Sequence, residues 1–165
     1  MYKRVLTIQD ISCLGQCSLT VALPVISACG VEACVLPSAL LSTHTMGFEG
    51  YTCLDLSDEM TKVLAHWDRH NVKFDAIYTG YLADLRQIDI VRSAFRSGLA
   101  EGGLKIVDPV MGDYGKLYPA FDKEFVNAMR ALCSEADIIL PNITEACLLT
   151  GEEYRSCHNS LYTPR

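Results

Sequence analysis

The 165-residue sequence contains no Cys-x-x-Cys pair and no cysteine–histidine cluster with zinc-finger spacing. Its longest apolar run, "VALPVISACGV" (21–31), is too short to cross a bilayer. Basic residues are in the minority, with 14 Lys and Arg against 20 Asp and Glu and a formal net charge of −6. That balance argues against a general nucleic-acid binder, because phosphate backbones select basic surfaces. The P-loop pattern G-x-x-x-x-G-K-[ST] is missing, and "GDYGK" (112–116) has the wrong spacing to replace it. Neither a G-x-G-x-x-G after the first strand pattern nor a G-x-S-x-G nucleophile elbow occurs. There is no low-complexity segment, no solenoid period and no block of like charge.

Eight cysteines are present, and seven of them, from Cys13 to Cys147, sit mostly in apolar runs. There a free thiol behaves as a small hydrophobe. Met1–Arg4 lead straight into "VLTIQ" with no long apolar leader, so the expectation is a reduced, cytoplasmic protein. Half the residues are hydrophobic and 21% are charged, enough for one domain with a sizeable core.

Short β-rich runs alternate with helical patterns. Strands are predicted over 4–9, 32–41 (ending near Pro37), 74–81, 104–108 and 136–140. Between them lie helices over about 18–28, interrupted by Pro24, then 57–70 with Ser57 as N-cap, and 85 to about 99. Two more follow, one capped by Asp122 and a short one opened by Asn142 and closed by Gly151. Strand and helix recurring at intervals of about thirty residues means right-handed crossovers, an α/β class and a mostly parallel sheet. Ligands of such sheets sit beyond the carboxyl ends of the strands. Asp10, His44, Thr45, Tyr81, Asp108 and Asn142 all fall at those ends.

Two stretches carry candidate charge chemistry. In "KIVDPVMGDYG" (105–115), Asp108 and Asp113 fit either a strand-end turn or a floor for Mg²⁺, which takes one or two carboxylates plus substrate phosphates. In "NITEACLLTG" (142–151), Asn142 and Glu145 have capping-box spacing. A helix start at a sheet's carboxyl edge also faces anions, and a glutamate in its first turn can reach a metal through water. The loop "STHTMGFEG" (42–50) places Thr43, His44 and Thr45 either as surface decoration or as a flap over a small hydroxylated or aromatic molecule.

Taken in order, "DISCLGQCSLTVALPVISACGVEACVLPSALLSTHT", "YTGYLAD", "VDPVMGDYGKLY" and "ADIILPNITEACLLTGEEY" resemble pyridoxal (pyridoxamine) kinases of the ribokinase-like superfamily. The resemblance covers residues 4 to about 154, so 1–154 is expected to form the N-terminal portion of that kinase fold and 155–165 an irregular tail. "DPVMGD" followed by "PNxTE" is shared with hydroxymethylpyrimidine kinases, whereas "LSTHT" and "CSLTVALP" favour the pyridoxal branch. The resemblance implies ATP-dependent phosphorylation of the 5′-hydroxymethyl group of a B6 vitamer, in a family that is usually homodimeric. Carried over by position, Asp10, His44, Thr45 and Tyr81 face the pyridine substrate. Asp108, Asp113, Asn142 and Glu145 lie around Mg-ATP, with Asp108 and Glu145 on the metal side.

Two positions depart from the family pattern: Leu140 stands where many relatives carry Thr, and Asp10 where some carry Ser. The family's Gly-x-Gly-Asp helix start, which supplies the general base, occurs nowhere in the 165 residues. The expectation is therefore a chain that holds the substrate and metal side without the catalytic base, and whose sheet leaves an apolar edge exposed. Two rivals stay open, a hydroxymethylpyrimidine (phosphate) kinase and a non-catalytic fragment that at most binds vitamers. An unrelated doubly wound binding domain would require the motif matches to be coincidence.

Overall fold

A computed structural model describes residues 3–45 and 47–155. Its main sheet has six strands in the order β3-β2-β1-β4-β5-β8. They are β1 (Arg4–Ser12), β2 (Glu32–Leu41), β3 (Cys53–Asp55), β4 (Phe74–Thr79), β5 (Leu99–Val107) and β8 (Ile138–Ile139). All neighbours pair in parallel except β3, which runs antiparallel to β2 at the edge. Helices α1 (Leu19–Ala28), α2 (Ser57–Arg69), α3 (Leu85–Gly98), α4 (Lys123–Ser134) and α5 (Ile143–Thr150) make the connections. A separate two-stranded hairpin joins β6 (Gly112–Asp113) to β7 (Lys116–Leu117).

The core follows the two predicted periodicities. Leu6, Ile8, Leu36, Phe74, Ile77 and Val107 project from the strands, and Met60, Ile88, Val91, Phe95, Phe125, Met129 and Leu132 cover them from helices. At about 25 cal/mol per Å² of apolar area, this cluster is the main stabilising term. Phe121 stacks on Phe125 with centroids 3.9 Å apart and also faces Tyr81 at 5.7 Å, so the aromatic core runs up to the carboxyl edge of the sheet.

Several elements differ from expectation. β2 does not stop near Pro37 but runs to Leu41. Pro37 sits beside the irregularity in the β1–β2 ladder between Gln9 and Ile11, and β3 pairs only from Ala39 onward. Its missing N–H therefore falls where the ladder is already broken, a place where a strand tolerates proline. α1 continues through Pro24, because packing against β1 and β2 outweighs one lost helical bond.

Ser57 is the first residue of α2, not its cap. Its N–H and Oγ both donate to Asp55 Oδ1, at 3.0 and 2.6 Å. β5 begins at Leu99, directly after α3, and β8 contracts to Ile138–Ile139. The short antiparallel pieces β3, β6 and β7 have no length from which periodicity can be read. Asp122 and Asn142 cap α4 and α5 as expected, accepting from the N–H of Phe125 and Glu145 at 2.9 Å each. Gly151 closes α5 in the left-handed conformation. The tail beyond Arg155 lies outside the described residues.

Gln87 ties the elements beneath the carboxyl edge together. It is fully buried on α3: its Nε2 donates to Asp55 Oδ1 and Ser38 O at 2.9 and 3.0 Å and lies 3.1 Å from Ser57 Oγ, and its Oε1 accepts from the Ala83 N–H. Gln87→Ala strands the Ala83 N–H and opens a cavity, while Ser38 O keeps the Leu56 N–H and Asp55 Oδ1 keeps the Ser57 N–H and hydroxyl. It is expected to cost about 2 kcal/mol of unfolding free energy in urea titrations. A loss under 0.5 kcal/mol would show that water replaces the amide at no cost.

β8 is the outer strand on the side opposite β3. Ile138, Ile139, Leu140 and Ile143 are exposed there, Ile143 by 56%. Among the described residues, no helix is long and apolar enough to cross a membrane.

Candidate active site

The carboxyl ends of β1, β2 and β4 open into a cavity of about 620 Å³, a volume in the range of small-molecule sites. Asp10 and Ser12 project into it from the end of β1, two residues apart on one face of the strand. Both are buried, Asp10 to 5% exposure, and Ser12 Oγ lies 3.4 Å from Asp10 Oδ2. His44, Thr45 and Tyr51 enter from the loop after β2. Tyr81 enters from the end of β4, and Tyr118, Pro119 and Ala120 from the segment after β7.

All four residues expected to face substrate, Asp10, His44, Thr45 and Tyr81, therefore line one cavity. Burial pushes the Tyr81 phenol up to about 12, with smaller contributions from nearby anionic groups, so it remains a protonated hydrogen-bonding group throughout the physiological range.

The second predicted group assembles beyond β5. Glu145, 3% exposed, accepts through Oε1 from the Met111 N–H at 3.2 Å and through Oε2 from the Asn142 N–H at 2.9 Å. Asn142 returns the cap to Glu145 and donates through Nδ2 to Gly112 O at 2.9 Å. The capping box is thus real, and it also fastens α5 to the segment 111–112.

Asp108 stands at the end of β5, with Tyr78 Oη 3.5 Å from its Oδ2. Burial first, and then the Glu145 charge, push its carboxyl up to about 6. Burial also raises Glu145, against the pull of its backbone N–H donors. Two half-smothered carboxylates that repel each other make a place where a cation is stabilising.

Asp113 takes a different position. It begins a two-residue turn in which Tyr114 and Gly115 have φ of 48° and 77°, the left-handed pair of a type I′ hairpin. Its Oδ1 accepts from the Tyr114 N–H at 2.9 Å, so turn chemistry accounts for that side chain. Its charge still reaches the site, since it raises Glu145 and Tyr118.

Among the described residues, no group of three or more His, Cys, Asp or Glu side chains is placed to bind a metal. The donor set is two carboxylates, which suits Mg²⁺ shared with substrate phosphates rather than a closed protein cage. Both Glu145 oxygens already accept from backbone, whereas Asp108 has one long hydroxyl contact. Asp108 is the freer ligand, and Glu145 is better suited to act through water.

Sequence reasoning missed Ser12, Tyr51, Tyr78 and the 118–120 wall. Ser12 was within reach of strand alternation from Asp10. Tyr78 and the wall join the site through strand pairing and the hairpin, which leave no local signal. Burial and the carboxylates Glu145 and Asp108 push the Cys133 thiol up to about 11, and burial raises Cys34 and Cys53, so these three are poor nucleophiles.

Known proteins share this fold. A Bacteroides thetaiotaomicron structure, described as a "putative phosphomethylpyrimidine kinase" in a crystal form with pyridoxal, is 45% identical with a TM-score of 0.88. The match covers 94% of this chain and 54% of that one. Pyridoxal kinase from Lactobacillus plantarum is 42% identical with a TM-score of 0.86, covering 93% and 54%. The Saccharomyces cerevisiae protein named "Putative pyridoxal kinase" is 31% identical over 163 residues, covering 93% of this chain and 50% of that protein. The chain thus spans about half the length of these relatives. The family model described as phosphomethylpyrimidine kinase matches residues 20–161. With this sheet order and these strand-end residues, the chain belongs to the phosphomethylpyrimidine kinase family and has the ribokinase-like fold of the pyridoxal kinases.

Proposed function

We propose that this chain carries the vitamer-binding and Mg²⁺-binding side of a pyridoxal kinase, which transfers the γ-phosphoryl group of ATP to the 5′-hydroxymethyl group of pyridoxal, pyridoxine or pyridoxamine. The observation that carries this reading is the convergence of Asp10, His44, Thr45 and Tyr81 on one cavity, with Asp108 and Glu145 paired beyond the adjacent strand. Asp10 and Ser12 supply buried acceptors for donors on a small ring, and Tyr81, Tyr51 and Tyr118 supply apolar walls. Asp108, with Glu145 acting through water, would hold Mg²⁺, whose contribution when bound is to neutralise phosphate charge. Phosphoryl transfer asks the protein mainly for positioning and charge neutralisation, which is what these residues are built to give.

The general-base motif of the family is absent from the 165 residues, so the isolated chain is expected to bind ligand without turnover. The test pairs pyridoxal titration with an ATP-dependent phosphorylation assay read by mass spectrometry. Pyridoxal binding without product is the expected result. Clear turnover by the isolated chain would sink the claim of a missing base.

One observation favours a second reading, hydroxymethylpyrimidine as the substrate: the matching family model is described by the pyrimidine reaction. Selective binding of hydroxymethylpyrimidine over pyridoxal would decide for it.

A further inference from the structure

We propose that Gly15 is a positioning residue for the mouth of the cavity: its missing side chain lets the His44 ring lie across the loop after β1, so that segments 13–18 and 42–45 are held together at the width the bound ring needs. The inference rests on the vitamer-binding reading of the cavity and adds to it a residue that lines no part of the pocket wall.

Three observations converge on the contact. Gly15 has φ +110°, a backbone conformation that side-chain-bearing residues rarely adopt. A Cβ placed on it would lie 2.2 Å from His44 Cδ2 and 3.2 Å from both Cγ and Nε2, so the imidazole rests directly on the bare α-carbon. The backbones are laced together at the same place. The Cys13 N–H donates to Leu41 O at 2.8 Å and the His44 N–H donates to Leu14 O at 3.1 Å, prolonging the β1–β2 pairing past the ends of both strands.

Each loop is also held from its far side. Thr20 Oγ1 donates to the Cys17 carbonyl at 2.8 Å and lies 3.3 Å from the Gly15 carbonyl, and so fixes the turn that presents Gly15. On the other loop, Phe48 meets the His44 ring edge-on at 5.1 Å. Gln16, Cys17 and Ser18 on one side and His44, Thr45 and Tyr51 on the other face the cavity, so whatever sets the distance between the loops sets the width of the mouth.

A side chain at position 15 has two effects that can be separated. It strains the backbone whatever its neighbours are, and it pushes the His44 ring off the loop. Only the second effect passes through His44, so a double-mutant cycle with Gly15→Ala and His44→Ala isolates it. Two readouts apply, pyridoxal affinity by titration and the His44 ring resonances in a ¹H–¹³C spectrum, assigned by their loss in His44→Ala. Gly15→Ala is expected to move those resonances and to weaken pyridoxal binding about tenfold, but less than about threefold when His44 is already Ala. Far-UV circular dichroism of each variant separates local displacement from unfolding.

Unmoved His44 resonances in a folded Gly15→Ala variant overturn the proposal. So does an equal loss of affinity in both backgrounds, which would mean backbone strain alone. Should the parent chain bind no pyridoxal, the function reading fails while the resonance shift still decides the role of Gly15.

Discussion

Replacing Asp108 with Asn is expected to make the folded chain more stable at pH 7.5 while removing its response to Mg²⁺. In the folded chain the Asp108 carboxyl is pushed up to about 6, by burial first and the Glu145 charge second, whereas an unfolded aspartate titrates near about 3.9. Below about pH 4 both states are protonated and the group costs nothing. Between about 4 and 6 the unfolded chain gives up its proton first, so stability drains as pH rises. Above about 6 the whole penalty is present. Two pKa units correspond to about 3 kcal/mol at most, and partial solvent contact reduces this to about 1–2 kcal/mol.

Asn keeps an acceptor for Tyr78 and carries no charge. Asp108→Asn should therefore raise the unfolding free energy by about 1–2 kcal/mol at pH 7.5 and leave it unchanged near pH 4. Millimolar Mg²⁺ with ATP should raise the melting temperature of the parent and not of the variant. A variant less stable than the parent at pH 7.5, or a difference independent of pH, would show that the carboxylate is already compensated. A desolvated carboxylate raised by a neighbouring charge is what the proposed Mg²⁺-holding role of Asp108 predicts, since a cation there would relieve both costs.

Glu145→Ala is expected to have the opposite sign and the larger size. Its two oxygens satisfy the backbone N–H groups of Met111 and Asn142, and the side chain is 3% exposed. The substitution removes half of the α5 capping box, worth about 1 kcal/mol. It also strands the Met111 N–H, at about 1–3 kcal/mol. The sum, about 2–4 kcal/mol, corresponds to a melting temperature lower by about 6–12 °C for a chain of this size. Glu145→Gln retains an acceptor and should fall between the two. If Glu145→Ala melts within 2 °C of the parent, the carboxylate does not organise the segment between β5 and β6, and its role is confined to charge.

These two carboxylates also show how far the sequence could be read. The pairing of Asn142 with Glu145 was legible because a capping box is local: four consecutive residues and the helix geometry suffice. The strand-end positions of Asp10, Tyr81 and Asp108 were legible because alternating strand and helix patterns permit few topologies, and a parallel sheet sends its polar strand ends to one edge. The resemblance to pyridoxal kinases rested on those same residues in that order, and the family match bears it out.

Other features were closed to the sequence because their causes are distant in the chain. Asp113 carries the same side chain as Asp108, five residues earlier, yet one ends in a hairpin turn and the other in a desolvated site. What separates them is burial and the approach of Glu145, neither of which is written in residues 105–115. The run of β2 through Pro37 depends on a ladder irregularity in β1 and on an antiparallel edge strand too short to carry a period. Ser57 reads as a cap until Asp55 and Gln87 are seen to claim its hydroxyl.

The sequence by itself determined the fold class, the order of the parallel strands and of the helices, the helix caps at Asp122 and Asn142, and the set of polar groups delivered to the carboxyl edge. Periodicity and capping act over one or two turns of chain, where composition is decisive. Only the tertiary structure decided which of those groups share a cavity, which carboxylate is strained and which is spent on a turn, and that a bare α-carbon at Gly15 receives the His44 ring. Those outcomes turn on desolvation and close approach between segments tens of residues apart, and such distances exist only once the chain has folded.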